Sequence, residues 1–418
     1  MYFLKTKDTG KCGLNNCAAG RKFISPPLLS AQPVGMRLAV TLLSALLLAA
    51  LPPAHGQTET VLHSFANSPD GANPRYVTPV VDTTGNLYGT TEFGGAYGFG
   101  TVFKLTRSGT ETVLHSFDVN GTDGAYPVAS LVMYKGNLYG TTVEGGTDNI
   151  DGTVFELIHT TKGWTEKILH SFGASGDGAQ PYCALTLDTA GNLYGTTNVG
   201  GAYSYGTVFK LTPSGTETPL WSFGQGTDGA NPLAGVVLDT KGNLYGTTEY
   251  GGAYGSGMVF ELTPSGTEKI LWSFGNGTDG AYPIARLALY KGNLYGTTAS
   301  GGVYGDGTVF EVTLSGTETI LHSFANNDID GFNPYAGLTL YNGNLYGTTV
   351  NGGGIGGVAG MVFEMAPSGT ETILHVFGGN PDGAFPWGGV AFDKSGNLYG
   401  TTFSGGAYGF GTVFKLTP

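Results

Sequence analysis

The sequence predicts an all-β fold, a seven-bladed β-propeller of four-stranded antiparallel blades, and three observations carry that prediction. The string Gly-Asn-Leu-Tyr-Gly-Thr-Thr occurs seven times, starting at Gly85, Gly136, Gly191, Gly242, Gly292, Gly343 and Gly396, in steps of 50 to 55 residues. Each step holds four strand-like pieces separated by turn residues. Of 418 residues, 73 are glycine and 20 proline, while 40% are apolar and only 12% charged. Glycine at this density costs about 1 kcal/mol at each helical position, which excludes long helices. The apolar share excludes disorder. A period near 50 with several strands per unit fits propeller blades, because leucine-rich and β-helical coils repeat at much shorter intervals.

The chain preceding the repeats reads differently. Residues 1–35 are expected to be a disordered extension or an overcalled start. Residues 36–56 have the make-up of a signal peptide: Met36 and Arg37 give a start and a positive flank, and residues 38–51 form an apolar run well short of the ~20 residues that span a bilayer. Ala54-His55-Gly56 supplies small residues at cleavage-site spacing. The expectation is export to the periplasm or beyond the cell after cleavage near Gly56, leaving no stable membrane span; an uncleaved anchor is the alternative. Removal of these 56 residues leaves 13 basic and 30 acidic side chains, a net charge near −17. Nucleic acid is thereby excluded as a partner, since its binders need a basic footprint. Cys12 and Cys17 fall in the removed segment, so Cys183 has no partner for a disulfide and packing alone must hold the fold.

Two further segments recur in step with the first. A Glu-Thr-x-Leu-His-Ser-Phe type begins at Glu59, Glu111, Glu166, Glu217, Glu268, Glu318 and Glu371; a Gly-Thr-Val-Phe-Lys-Leu-Thr type begins at Gly100, Gly152, Gly206, Gly257, Gly307, Gly360 and Gly411. In the second repeat the four strands are expected at 129–134, 137–142, 153–157 and 166–172, with Ala129, Leu131 and Met133 on one face and Ser130, Val132 and Tyr134 on the other. Strands one and two are joined by Asp-x-x-Gly-Asn, starting at Asp82, Asp188, Asp239 and Asp393, or by a shorter Tyr-Lys-Gly-Asn type. Pro-Ser-Gly at Pro213, Pro264 and Pro367, with Arg107 replacing proline in the first copy, turns strand three into strand four. The repeats open at 58–65 with a fourth-type strand and finish at Pro418 after a third-type strand. Residues 58–65 are therefore expected to pair with 411–417, closing the ring and covering an edge that would otherwise invite aggregation.

These strings resemble the tandem repeats of the GloVer family, exported bacterial repeat proteins, over residues 58–418. The resemblance implies export but no biochemical activity or cofactor. Members carry varied C-terminal sorting anchors; here the chain stops at Pro418, so attachment of that kind is not expected. The Pro-x-x-x-Leu-x-Leu-Asp-x-x-Gly-Asn-Leu-Tyr stretch is also similar to the inner strands of an NHL-type propeller blade.

If strand one descends the central channel, the interblade loops and the loops between strands two and three share one face. The interblade loops carry Asp-Gly at Asp70, Asp123, Asp177, Asp228, Asp279, Asp330 and Asp382. These aspartates read either as a ring of carboxylates at the channel mouth, able to hold a hard cation, or as turn caps. Capping is favoured, because identical groups in every blade are what maintenance of a scaffold produces. Tyr97, Tyr203, Tyr254, Tyr304 and Tyr408 could stack on sugars or pack between blades, and packing is favoured. The two residues after each Gly-Thr-Thr vary between blades: Glu92-Phe93, Val143-Glu144, Asn198-Val199, Glu249-Tyr250, Ala299-Ser300, Val350-Asn351 and Phe403-Ser404. Ligand contacts are therefore expected at Glu92, Phe93, Glu144, Glu249, Tyr250 and Phe403, with Tyr97, Tyr254 and Tyr408.

His63, His115, His170, His322 and His375 share a position that Trp221 and Trp272 occupy elsewhere, which argues against metal binding or base catalysis there. Cys183 stands where other copies have alanine and reads as a small buried filler. The glycine runs lack the Gly-Lys-Ser/Thr of a phosphate loop. The leading expectation is a noncatalytic exported monomer that binds a glycan or protein through its loop face. The alternatives are a glycan-cleaving enzyme using Glu92, Glu144, Glu249 or Asp306 as paired carboxylates, and a structural surface-layer component.

Overall fold

The computed structural model describes residues 57–147, 150–327, 329–354 and 359–417. The expected extension and signal peptide lie outside the described residues. Seven four-stranded antiparallel sheets, six of them ordered inner to outer along the chain, form the blades of a β-propeller. Blade 1 comprises Val80–Val81, Leu87–Thr91, Thr101–Leu105 and Glu111–Ser116. The next five follow at the spacing of the repeat, and the seventh is composite.

Closure is as the repeat phase predicts. Blade 7 takes Ala391–Phe392, Leu398–Thr402 and Thr412–Thr417 from the end of the chain and Thr58–Ser64 from its beginning. The register runs from Thr58 opposite Thr417 to Ser64 opposite Thr412, with a bulge between Val61 and His63. Equivalent bulges interrupt the outer strand pair of the other six blades, so the terminal strand reproduces even this irregularity.

Blade 2 departs from its expected boundaries. Its third and outer strands lengthen to Thr153–Thr160 and Gly163–Ser171, because this copy replaces the Pro-Ser-Gly turn with a tighter one. Its inner strand is laddered only over Val132–Tyr134. The preceding carbonyl is committed elsewhere: Thr90 of blade 1 donates its hydroxyl to Ala129 O. The same hydroxyl-to-carbonyl contact, 2.8–3.3 Å long, links every blade to the next, and Thr401 to Val77 O completes the circle. The first threonine of each Gly-Thr-Thr is thus an interblade bond.

Packing between blades is equally regular. The phenylalanine ending each outer strand meets the third-strand phenylalanine of the next blade edge-on or tilted, with centroids 4.9–5.4 Å apart. Such pairs contribute about 0.5–1.5 kcal/mol beyond their buried area. Phe65 against Phe103 is the pair that spans the chain ends. The glycine of Gly-Thr-Thr makes room for these rings, since a Cβ on Gly89 would lie 2.7 Å from the ring of Phe103.

Each second-strand tyrosine hydroxyl and its neighbouring asparagine share a carboxylate, supplied by two routes. In blades 1, 3 and 7 it is the turn aspartate: Asp82 accepts from Thr84 N, Asn86 N and Nδ2, and Tyr88 OH, and these bonds hold its pKa down at about 2. Blades 2, 5 and 6 lack that aspartate, and Glu156, Glu311 and Glu364 of the third strand accept from the tyrosine instead. Blade 4 carries both Asp239 and Glu261, 3.2 and 3.3 Å from Tyr245 OH.

Candidate functional site

The loop face contains two sets of polar groups, one at the outer strands and one at the channel. In the interblade loops the glycine of Asp-Gly and the residue after it pair with the second varying residue and following glycine, as in Gly71 opposite Gly94 and Ala72 opposite Phe93. A short second ribbon forms in this way in every blade and brings both loop types to one end of the molecule.

The loop aspartates cap turns and face outward. Asp70 Oδ1 accepts Gly71 N at 2.7 Å and its Oδ2 accepts Ala66 N at 3.0 Å. His63 Nε2 lies 3.0 Å from the same Oδ2. Equivalent contacts join His115 to Asp123, His170 to Asp177, His322 to Asp330 and His375 to Asp382. Trp221 fills the same role, donating Nε1–H to Asp228 Oδ2 at 3.1 Å. Histidine and Trp221 thus share a ring N–H on an aspartate, whereas Trp272 Nε1 and Asp279 Oδ2 at the same place in blade 4 have no hydrogen-bond partner. All seven aspartates sit in the interblade loops, and none is among the described residues lining the channel.

The glutamates that open the outer strands join these aspartates, a role the repeat pattern alone did not reveal. Glu166 of blade 2 reaches His115 and Asp123 of blade 1, Glu217 reaches His170 and Asp177, and Glu371 reaches His322 and Asp330; within each trio the potential ligand atoms lie within 4.8 Å of one another. The trios could hold a cation by donor type. Every one of these glutamates, including Glu59 and Glu111, has a buried Oε1 without a hydrogen-bond partner. Burial and then the facing aspartate push Glu111, Glu217, Glu268, Glu318 and Glu371 up to about 7. A protonated glutamate could donate to the aspartate, so the geometry suits a shared proton without any metal.

The channel mouth is built from the residue after the loop proline. At that position stand Tyr76, Val128, Tyr182, Leu233, Ile284, Tyr335 and Trp387, different in every adjacent pair of blades. Blade 1 has one extra residue here, Arg75, whose guanidinium lies 4.9 Å from the Trp387 ring centroid and 3.3 Å from Glu92 Oε1. Trp387 also meets Tyr76 and Tyr335 edge-on, at 5.4 and 5.2 Å. The rim is thus a half-buried aromatic cluster with one cation. Below it the channel encloses about 580 Å³, within the range of small-molecule sites.

The expected contact residues divide between three places. Glu92 and Glu144 line one side cavity of about 270 Å³ together with Phe93, Tyr126 and Tyr182. Glu92 is 9% exposed, its Oε2 has no partner, and burial raises its pKa against the opposing pull of Arg75. Glu249, also raised by burial, lies within electrostatic range of Tyr76 and Tyr335. Phe403 packs on Trp387 at 5.9 Å and Tyr250 on Tyr282 at 5.6 Å. Asp306 is not with them: its Oδ2 accepts Asn326 N in the loop beyond the outer strand.

The loop tyrosines overturn the packing expectation. Tyr97, Tyr203, Tyr254, Tyr304 and Tyr408 are 45–64% exposed, because the preceding residue is tied by its N–H to the serine ending the outer strand. That bond turns the loop tip outward. Cys183 is buried and unpaired, as a filler should be, and burial pushes its thiol up.

The sequence matches the model of the Gloeobacter/Verrucomicrobia repeat in four overlapping segments, at residues 48–186, 136–298, 184–391 and 285–418. The chain belongs to this repeat family. No curated protein matches it. Among solved structures, a streptogramin B lyase is similar at TM-score 0.57 and 17% identity, over 88% of this chain and 99% of that one. Virginiamycin B lyase from Staphylococcus aureus is similar at 0.55 and 14%, over 86% and 98%. The extracellular domain of a protein assigned as a one-component system of B. thetaiotaomicron follows at 0.53 and 10%, over 84% and 39%. At these identities the likeness is one of fold. The repeat-family chain shares the propeller with them, and among its described residues no helix is long and apolar enough to cross a membrane.

Proposed function

We propose that this protein is an exported, noncatalytic propeller that binds a glycan at the channel mouth. One observation carries the reading: in a molecule whose blades repeat almost residue by residue, the rim position alone assembles Tyr76, Tyr182, Tyr335 and Trp387 around a single inserted arginine. Aromatic faces with a polar edge suit the alternating apolar and hydroxylated surfaces of a sugar. The apolar run at 38–51 and the acidic surface support export. The test is binding of the full-length protein to a panel of neutral oligosaccharides, compared with Trp387→Ala and Tyr182→Ala. A bound glycan is expected to lose about tenfold or more in affinity with either variant, at unchanged melting temperature. Undiminished binding by both variants would remove the rim from the reading.

A second reading is favoured by the side cavity. Glu92 and Glu144 face the same space, and burial raises the pKa of Glu92, as suits a general acid. Release of reducing ends from a bound glycan, abolished by Glu92→Gln, would replace binding by cleavage as the function.

A further inference from the structure

Arg286 is the one charged side chain among the residues lining the channel. It extends from the segment leading into the inner strand of blade 5, where the equivalent residues of the other blades are Thr78, Ser130, Ala184, Gly235, Gly337 and Gly389. Six small residues and one long cation leave open space beside a guanidinium. Arg286 donates from Nη2 to Thr186 Oγ1 at 2.8 Å and from Nε to Val236 O at 3.4 Å. A guanidinium has five N–H donors, so three remain uncommitted, and no carboxylate lines the channel to accept them. The side chain is exposed only in the sense that it borders the channel's own space.

An arginine so placed, open to the channel and with donors to spare, is a ready partner for an anion. Enclosure by the blades lowers its pKa, yet it stays charged at any physiological pH. Planar guanidinium favours a planar, two-oxygen partner, which is a carboxylate.

We infer that the central channel is a carboxylate-binding site in which Arg286 holds the acid group of a sugar acid whose ring reaches the aromatic rim. The depth fits an end-on entry. Thr186, which accepts from the guanidinium, opens the inner strand of blade 3 and so lies below the rim residue Tyr182 that precedes it in the chain. The floor of the site selects the charge and the rim selects the ring. This inference rests on the rim reading for the sugar alone; the carboxylate preference stands on Arg286 by itself.

Calorimetric titration of the full-length protein with galacturonate, digalacturonate and their neutral counterparts galactose and galactobiose tests it. The uronates are expected to bind at least about tenfold more tightly than the neutral sugars. Arg286→Met should erase that difference while leaving neutral binding and the melting temperature unchanged, and Arg286→Lys should keep part of it. Equal affinities for acid and neutral sugars, a preference that survives in Arg286→Met, or no uronate binding at all would overturn the inference. An acetylated dipeptide and its C-terminal amide form the second arm. A preference for the peptide acid over both uronates, lost in Arg286→Met, would overturn the sugar assignment. Rim variants report separately, because Trp387→Ala weakens neutral sugars and Arg286→Met does not.

Discussion

At the outer strands every blade carries the same aspartate and the same glutamate, whereas at the channel mouth no two adjacent blades carry the same side chain. Both regions hold buried polar atoms, but they answer different needs. The outer carboxylates tie one blade to the next, as Glu166 of blade 2 meets Asp123 of blade 1 and Glu59 of the composite blade stands beside Asp382 and His375. A joint repeated at every interface is a property of the ring. The channel departs from the repeat at Arg75 and Trp387 on its rim and at Arg286 below it, and a departure made once has nothing to contribute to a joint made seven times. Similar burial therefore means assembly in one region and, on the function proposed above, recognition in the other.

The sharpest way to break this comparison is to open the ring. Deletion of residues 58–65 removes the outer strand of blade 7, Phe65 from its contact with Phe103, and Glu59 from its joint. The melting temperature is expected to fall by well over ten degrees, with glycan binding lost as the mouth loses its geometry. Equal melting temperatures for intact and shortened chains would show that the interfaces act independently.

A pH titration sharpens it further. Glutamates held up to about 7 bind protons more tightly folded than unfolded, so their protonated form stabilises the fold below about pH 4.5. That contribution is lost as pH rises from there through about 7. His115 and His322, also raised, lose their stabilising charge as pH climbs through and above their unfolded value near 6.5. Asp82, held down at about 2, works in the opposite sense: its stabilisation is complete above the unfolded value near 3.9 and fades as pH falls towards 2. Thermal unfolding should accordingly be latest at about pH 4–5 and come earlier on either side. A melting temperature that is flat between pH 5 and 8 would contradict shared protons at the joints.

The smallest effect is expected from His322→Trp. Trp221 already shows an indole N–H on the matching aspartate, so stability should shift by less than about 1 kcal/mol and ligand binding not at all. Loss of binding would move recognition to the outer strands and collapse the distinction between the two regions.

The repeat made the blades, their order and the terminal pairing readable before any coordinates, because each followed from periodicity and turn chemistry. What periodicity averages, it hides. The variation after Gly-Thr-Thr drew attention to Glu92 and Glu144, which do meet in one cavity. The equally telling variation after the loop proline was missed at Tyr76, Tyr182, Tyr335 and Trp387. Alternation correctly separated Ala129 and Leu131 from Ser130, but only the closed ring shows that the buried pair faces between blades while the Ser130 position, and so Arg286, faces the channel. The loop tyrosines were misjudged for a local reason, since the serine bond that turns each loop tip outward leaves no mark in the spacing.

The two routes by which a second-strand tyrosine obtains its carboxylate limit how such genes can rearrange. A crossover between copies that falls between the turn and the third strand yields one blade with two acids and a reciprocal blade with none. Blade 4, with Asp239 and Glu261 on Tyr245, has the composition of the first product, and no blade has that of the second. Exchange of whole blades keeps donor and acceptor together, so the propeller can shuffle its mouth by trading complete units while its joints stay the same.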